Sequence, residues 1–151
     1  MIGIGLISDT HGLLRPEALA ALEGSDRIIH AGDIGDPRIL AELSRLAPVT
    51  VVRGNIDTAP WAAALPATAT LELPGAVIFV IHDIADLSLD PAAAGFRAVV
   101  SGHSHRPSIR EQDGVLLVNP GSAGRRRFSL PISLARLRVA RSGLTAELVE
   151  L

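Results

Sequence analysis

Short apolar runs alternate with Ala/Leu-rich stretches over the first third of the chain. Ile2–Ile7 is an apolar run that stops at a polar cluster, which predicts a buried strand. Two further apolar runs predict strands at Arg27–His30 and Val49–Val52. Between them, Pro16–Glu23 and residues 37–47 have the composition and the leading proline of helices. This alternation of strands and helices predicts a parallel sheet with crossover helices.

The rest of the chain favours hairpins, because turn-forming pairs separate its apolar runs. Three strand pairs flank Pro74-Gly75, Asp113-Gly114 and Ser142-Gly143. The predicted strands are Thr68–Leu73, Val77–Ile81, Ser108–Arg110, Val115–Val118, Ile132–Val139 and Leu144–Leu151, together with Ala98–Ser101 after a short helical piece at Asp90–Ala94. We expect an α/β fold in which two packed mixed β-sheets are flanked by helices as a four-layer sandwich, in one domain of residues 1–151. Residues 56–67 form one long loop.

Composition and charge exclude several classes of function. The chain has 151 residues, is 48% hydrophobic and carries a net charge of -2, so it can bury a core but lacks the basic excess of a protein that binds nucleic acid or membrane surfaces non-specifically. The absence of cysteine excludes disulfides and thiolate metal sites. No run is long and apolar enough for a membrane span, and the N-terminus does not resemble a signal peptide. We therefore expect a cytoplasmic protein with no membrane partner and no stable nucleic-acid partner.

Candidate chemistry lies where the predicted strands end. Ligands of α/β sheets bind at the carboxyl ends of parallel strands, so polar groups at these ends are predicted to converge. Five motifs meet this description: Asp9-x-His11, Gly32-Asp33, Gly54-Asn55-x-Asp57, His82-Asp83 and Gly102-His103-x-His105.

The residue types in these motifs suit divalent metals, since carboxylate, imidazole and amide oxygen are ligands of Mn, Fe, Ni and Zn. Side chains two apart in an extended chain point to one side, so Asp9 and His11 are expected to reach one ion. His103 and His105 are expected to reach two adjacent ions. The glycines that precede three of the motifs would allow a tight backbone path. Each motif alone has an ordinary explanation as a turn, a cap or a buried histidine, but four of the five histidines fall in the pattern.

The ordered set DxH, GD, GNxD, a histidine after a strand and GHxH resembles the calcineurin-like metallophosphoesterase superfamily. The short chain and the sequence Asn119-Pro120-Gly121-Ser122 resemble its small single-domain phosphodiesterase group, which is related to the metallophosphoesterase-like subunit of retromer. The resemblance implies a double β-sandwich flanked by helices. It also implies a ligand set for two metals: Asp9, His11 and His105 for the first, Asn55, His82 and His103 for the second, and Asp33 bridging both. Within this set, the resemblance gives direct catalytic roles to Asp9, His11, Asp33, Asn55 and His103.

Two such metals would lower the pKa of a shared water, and the resulting hydroxide would attack a phosphodiester in line. Manganese is the first choice of metal, with Ni, Fe, Zn or Mg as alternatives. A phosphomonoesterase and a non-catalytic interaction scaffold of the retromer-subunit type are the alternative functions. All seven ligand positions are filled, which favours an enzyme.

Two residues depart from the family pattern. Ile56 stands where larger phosphatases of the superfamily carry a histidine thought to protonate the leaving group, and this favours a diester whose leaving group needs little help. Asp83 follows His82 where glycine is usual. Its carboxylate is expected either to lie near the second metal and lower the charge of the centre, or to serve only as a loop or helix cap.

Several other residues carry weaker expectations. Arg15 and Arg106 follow metal motifs and are candidates for contact with the substrate phosphate, as is Asn55, whereas Arg125–Arg127 is a solvated run or a further phosphate contact. The apolar loop around Trp61 is a candidate subunit contact, which predicts a homo-oligomer.

Two polar residues outside the ligand set lie near its motifs. His30 is expected to support the site by a hydrogen bond or to pack in the interior. Asp57 is expected to orient His11 or to stabilise its own loop.

Overall fold

Ten strands and two α-helices form the fold in a computed structural model that describes residues 1–151. Two single-turn 3-10 helices lie at Pro60–Ala62 and Ile84–Asp86. In chain order the elements are β1 (Ile2–Ile7), α1 (Pro16–Leu22), β2 (Arg27–His30), α2 (Pro37–Ser44), β3 (Val49–Val51), β4 (Thr68–Leu73), β5 (Ala76–Ile81), β6 (Ala98–Val100), β7 (Ser108–Gln112), β8 (Val115–Asn119), β9 (Ser133–Ala140) and β10 (Gly143–Glu150).

The strands form two five-stranded sheets of mixed direction. Sheet one has the order β10-β9-β1-β2-β3, in which β1, β2 and β3 run parallel and the β9-β10 hairpin is antiparallel to them. Sheet two has the order β4-β5-β6-β8-β7, with β5, β6 and β8 parallel at its centre. The predicted pair of mixed sheets is therefore confirmed.

The core follows the two-residue period of the strands, since successive side chains point to opposite faces. Between the sheets, Leu6 and Leu137 of sheet one pack with Ile78 and Val80 of sheet two. The other face of sheet one packs against α1 and α2, whose Leu22 and Leu43 are fully buried, as a second core cluster. The outer face of sheet two carries a smaller apolar cluster beneath residues 84–96, formed by Phe79, Ile81, Val99 and Val115.

Some predicted boundaries are wrong. The helical piece expected at Asp90–Ala94 is a run of turns, so both α-helices lie on sheet one and the outer layer of sheet two is irregular apart from one 3-10 turn. Helix α2 ends at Ser44 rather than at residue 47, and turns lead to Pro48, whose ring disfavours helix in the residue before it.

The loop at residues 56–67 contains the 3-10 turn Pro60–Ala62. Trp61 within it is half-buried and packs against the helical side of sheet one. Only part of its indole is therefore free to contact another subunit.

Neither helix could cross a membrane, since the longer one has eight residues where about 20 are needed.

Strand direction sets the position of the polar motifs. The carboxyl ends of β1, β2 and β3 lie along one edge of sheet one, and those of β5 and β6 lie along an edge of sheet two. The five motifs predicted to bind metal each begin one to three residues after one of these strands ends.

Candidate metal centre

Backbone hydrogen bonds join the loops that follow the strands. In sheet one, the amides of Asp9 and His11 donate to the carbonyl oxygens of Gly32 and Asp33 at 3.0 and 2.9 Å. Between the sheets, the amide of His103 donates to Asp9 Oδ2 at 3.0 Å. The amide of Gly102 donates to the carbonyl oxygen of His82 at 2.8 Å, and His82 Nε2 lies 3.0 Å from Asn55 Oδ1, so the five motifs meet at one edge of the sandwich.

Five of the predicted ligands adopt left-handed backbone conformations. Only seven non-glycine residues have positive φ, and the ligands among them have φ between 45° and 69°: Asp9, His11, Asp33, His103 and His105. The extended backbone expected at Asp9–His11 is therefore wrong, although both side chains reach one cluster. Asp and His tolerate this region better than most residues, but it is strained, and such strain concentrates at functional sites.

Glycines allow the loops to approach each other, as predicted. A Cβ on Gly54 would overlap the side chain and amide of Asp33. A Cβ on Gly102 would overlap Ser8 Oγ and lie 2.6 Å from Asp9 Oδ2. No other residue fits at these two positions without displacing a carboxylate of the site.

The first cluster consists of Asp9, His11 and His105. His11 Nε2 and His105 Nε2 lie 3.3 Å apart, and Asp9 Oδ1 lies 3.7 Å from the former and 3.4 Å from the latter. Asp9 is fully buried, and its Oδ1 has no hydrogen-bond partner. An unpaired buried carboxylate oxygen is costly, and a cation between these three atoms would remove that cost.

The second cluster consists of Asp33, His82 and His103, with Asn55 beside it. Asn55 Oδ1 lies 3.0 Å from His82 Nε2 and 3.1 Å from His103 Nδ1. The opposite nitrogen of His82, Nδ1, donates to the carbonyl oxygen of Ala31 at 2.7 Å. This bond leaves a lone pair on His82 Nε2 in the neutral ring, as a metal ligand requires.

Asp33 lies between the clusters. Its Oδ2 is 3.5 Å from His11 Nε2 and 3.3 Å from His82 Nε2, so one oxygen faces a histidine of each cluster. Its Oδ1 accepts a hydrogen bond from the amide of Ile56 at 3.0 Å, which fixes the orientation of the carboxylate.

The carboxylates are charged despite their burial. Burial raises the pKa of Asp9, but His105, His11 and Ser8 oppose it so strongly that the net pKa falls far below its usual range. Burial likewise raises the pKa of Asp33, but hydrogen bonding from His82 and the Ile56 amide lowers it overall.

Burial lowers the pKa of His82, but Asp33 and the other partners raise it overall. The raised pKa of His82 favours a positive charge beside Asp33 in the metal-free protein. The donor set and the unpaired Asp9 Oδ1 fit two divalent cations in that role.

Residues outside the ligand set hold these loops in place. His30 is fully buried, and its Nδ1 accepts from the amide of Gly32 at 3.1 Å, so its Nε2 donates to Thr10 Oγ1 at 3.0 Å. Thr10 Oγ1 in turn donates to the carbonyl oxygen of Ile34 at 2.9 Å. These hydrogen bonds connect the loop that carries Asp9 to the loop that carries Asp33.

Asp57 stabilises its own loop region. Its carboxylate accepts from the amides of Ile34, Gly35 and Gly54 at 2.9–3.1 Å. Of the two roles predicted for Asp57, loop stabilisation is the one observed.

Three polar residues outside the predicted ligand set also support the site. Ser8 Oγ donates to Asp9 Oδ2 at 2.7 Å, and Ser122 Oγ donates to the carbonyl oxygen of Asp9 at 2.9 Å. Asn119 Nδ2 donates to the carbonyl oxygen of Gly102 at 3.0 Å. Asn119 and Ser122 belong to the motif Asn119-Pro120-Gly121-Ser122 noted in the sequence, whereas the one signal for Ser8 was its position directly after a strand.

The arginine candidates lie in different settings. Arg15 Nε donates to the carbonyl oxygen of Gly124 at 3.1 Å and so braces the loop after β8, whereas Arg106 is exposed and its side chain has no protein partner. Arg125–Arg127 is exposed.

An open cleft of about 400 Å³ adjoins the second cluster and is lined by Arg53, Gly54, Asn55, Ala67, Thr68, Ile81, His82, Asp83, Asp86 and His103.

A double β-sandwich with paired His/Asp clusters at the strand ends defines the metallophosphoesterase class of proteins. Residues 2–142 match the calcineurin-like phosphoesterase superfamily domain. The chain is 37% identical over 158 residues to a probable metallophosphoesterase of Methanothermobacter thermautotrophicus, covering 97% of this chain and 91% of that protein. The chain belongs to the calcineurin-like phosphoesterase superfamily, and this membership supports a metal-dependent phosphoesterase activity.

Solved structures share the fold at lower identity. A novel archaeal phosphodiesterase superposes with a TM-score of 0.82 at 21% identity, over 98% of this chain and 100% of that one. Vps29 of Entamoeba histolytica in complex with zinc superposes with a TM-score of 0.74 at 20% identity, over 99% of both chains.

Replacing Gly102 tests the close approach of the loops. In Gly102→Ala the added Cβ must displace Ser8 or Asp9, so we expect metal affinity to fall by at least about tenfold, as for other lost support around metal ligands. Calorimetric titration of the metal-free protein measures this. Gly3→Ala is the matched control, because its Cβ would meet only Asp26 Oδ2 at 3.8 Å. Equal affinity in the two variants would contradict the packing argument.

Burial of His30 predicts a pH dependence of stability. Burial lowers the pKa of His30 from 6.5 to about 4. The unfolded chain therefore takes up a proton that the folded protein resists, and stability is lost as pH falls from 6.5 towards 4, by at most about 3 kcal/mol. Asp9 and Asp33, whose pKa values are lowered, lose their contribution only below this window.

Denaturant unfolding of the chelator-treated protein across this pH range measures the effect. His30→Gln keeps a donor for Thr10 but does not titrate, so its stability should change less with pH. An identical pH slope in both proteins would show that His30 is not the group responsible.

Proposed function

We propose that the protein is a dinuclear metal-dependent phosphodiesterase. The observation that carries the proposal is the position of Asp33, since one carboxylate oxygen lies within 3.5 Å of a histidine nitrogen of each cluster. A carboxylate oxygen between two sets of nitrogen ligands is the arrangement that a bridging ligand needs. Asp9, His11 and His105 would hold one ion, and Asn55, His82 and His103 the other.

Two bound cations would act as Lewis acids on the phosphate and would lower the pKa of a bound water to near neutrality. The chain itself contributes positioning. The hydrogen bonds to Asp33 and His82 fix the ligands before substrate arrives, and such preorganisation is a large part of catalysis by charged sites. The cleft beside Asn55 and His103 gives a phosphate ester access to the second cluster.

A diester fits this site better than a monoester. The side chain of Ile56 is 42% exposed and offers no proton to a leaving group. A monoester dianion needs that proton more than a diester whose alcohol departs readily. Two divalent cations, the carboxylates of Asp9 and Asp33 and one hydroxide sum to a single positive charge, and the Asp83 carboxylate beside His103 reduces this charge further, so a diester monoanion suits the centre better than a monoester dianion. Arg15, Arg106 and Asn55 are the proposed contacts to its phosphate.

Manganese is the proposed metal, with Ni, Fe, Zn or Mg as alternatives that suit the same nitrogen and oxygen ligands. The zinc bound by the Vps29 relative shows that a related fold accepts zinc. We further propose that the chain is one domain acting in the cytoplasm, possesses no membrane or stable nucleic-acid partner, and forms a homo-oligomer.

The alternative is a protein-interaction scaffold, since Vps29 shares this fold. The filled ligand set favours the enzyme. Elemental analysis and activity assays decide between them: the enzyme should bind two ions per chain and hydrolyse a diester faster than the matched monoester with Mn, Ni, Mg or Zn. At most one ion in well-loaded protein would contradict the dinuclear centre, and metal-loaded protein without turnover would favour the scaffold.

Asp33→Asn tests the bridge. Because Asp33 alone faces both clusters, the substitution should lower activity by at least about 100-fold, the upper end for disturbed metal support, and by more than His82→Ala. Steady-state kinetics at verified metal content and an unchanged circular dichroism spectrum are the measurements. Near-normal turnover in Asp33→Asn would refute the bridging role.

A further inference from the structure

Asp83 uses its two carboxylate oxygens differently. Oδ1 accepts a hydrogen bond from the amide of Ala85 at 3.0 Å and so caps the 3-10 turn Ile84–Asp86. Oδ2 lies 3.5 Å from Nε2 of His103, which belongs to the other motif of sheet two. Capping was one of the two roles expected from the sequence, and the contact with His103 was not foreseen.

The ring of His103 is oriented by contacts on both of its edges. Its Nδ1 lies 3.1 Å from Asn55 Oδ1, which is also 3.0 Å from His82 Nε2, so Nδ1 faces the second cluster. The two nitrogens of an imidazole point in different directions, and one ring cannot bring both to the same ion. Nε2 is therefore the outward nitrogen, and Asp83 is the group it meets.

His103 has little else to fix it. Its side chain is 45% exposed, whereas those of His82 and His105 are 7% and 3% exposed. Packing holds the buried rings, but an exposed ring is free to rotate and to change tautomer. A carboxylate at Nε2 stabilises the tautomer with the proton on that nitrogen and leaves the lone pair on Nδ1.

We propose that Asp83 is a positioning residue for the second metal: its carboxylate accepts the Nε2–H of His103 and presents Nδ1 to the cation. This inference rests on the proposed metal centre. Asp83 acts through His103, and it is not itself a ligand, because the imidazole ring stands between its carboxylate and the Asn55 side of the cluster.

Three variants separate positioning from capping. In Asp83→Ser the hydroxyl can still accept from Ala85 but is too short to reach His103. In Asp83→Asn the amide oxygen can still cap, while the NH₂ group faces Nε2 and favours the tautomer that places the proton on Nδ1. Asp86→Asn is the control, since Asp86 lines the same cleft, ends the same 3-10 turn and makes no ion pair with His103.

Calorimetric titration of the metal-free proteins with Mn²⁺ is the readout, with thermal unfolding of the metal-free forms alongside. We expect one of the two sites to weaken by about 10- to 100-fold in Asp83→Ser and Asp83→Asn, with Asn at least as severe as Ser. The other site, the Asp86→Asn control and the unfolding temperatures should stay as in the wild type. Wild-type affinity in both Asp83 variants, or an equal loss in Asp86→Asn, would overturn the proposal.

A double-mutant cycle tests whether Asp83 acts through His103. In a His103→Ala background, Asp83→Ser should cause no further loss of Mn²⁺ affinity, because its target is gone. A further loss of the full size would overturn positioning and make Asp83 a direct ligand. Wild-type protein that binds fewer than two ions would overturn the dinuclear centre and this inference together. Two ions with unaffected variants would overturn this inference alone.

Discussion

The structure depends on neutralising two buried carboxylates that four imidazoles surround. Asp9 and Asp33 are buried at the meeting edge of the two sheets, and Oδ1 of Asp9 has no protein partner. Ionised groups are stable in such a place only when opposite charge is supplied, by protonated histidine or by a cation. Two features bring these carboxylates and imidazoles close together: the left-handed backbone at Asp9 and Asp33, and the lack of a side chain at Gly54 and Gly102. One positive charge can therefore interact with several of these groups.

The sequence was most informative where geometry follows from strand direction. Ile2–Ile7 and Ala76–Ile81 both end at a ligand motif, so predicting the strands nearly predicts the site. The sequence was least informative about the loops, where the backbone is neither helix nor strand. Nothing in the residues Asp9 and His11 distinguishes an extended chain from the left-handed turn observed, because a long-range bond from the His11 amide to Asp33 selects the turn. The contact of Asp83 with His103 likewise joins residues 20 positions apart in the chain.

Fold alone does not decide between an enzyme and a scaffold, since a phosphodiesterase and Vps29 both superpose on nearly the whole of this chain. The side chains favour catalysis. Maintaining Asp9, His11 and His105 in one cluster costs desolvation and backbone strain, and neither cost contributes to a protein-binding surface. A chain that served only as a scaffold would be more stable with apolar residues at these buried positions.

The two clusters differ in how their ligands are restrained. This difference explains why a carboxylate, that of Asp83, contacts the exposed histidine of the second cluster, His103. Asp9 and His105 lie in the interior, where a low dielectric strengthens attraction to a cation and packing restrains the ligands. His103 lies on the open cleft, where water weakens attraction and packing restrains the ring less. Because His103 lines this open cleft, burial does not restrain its ring. A neighbouring carboxylate such as that of Asp83 can restrain the ring and still leave the cleft open.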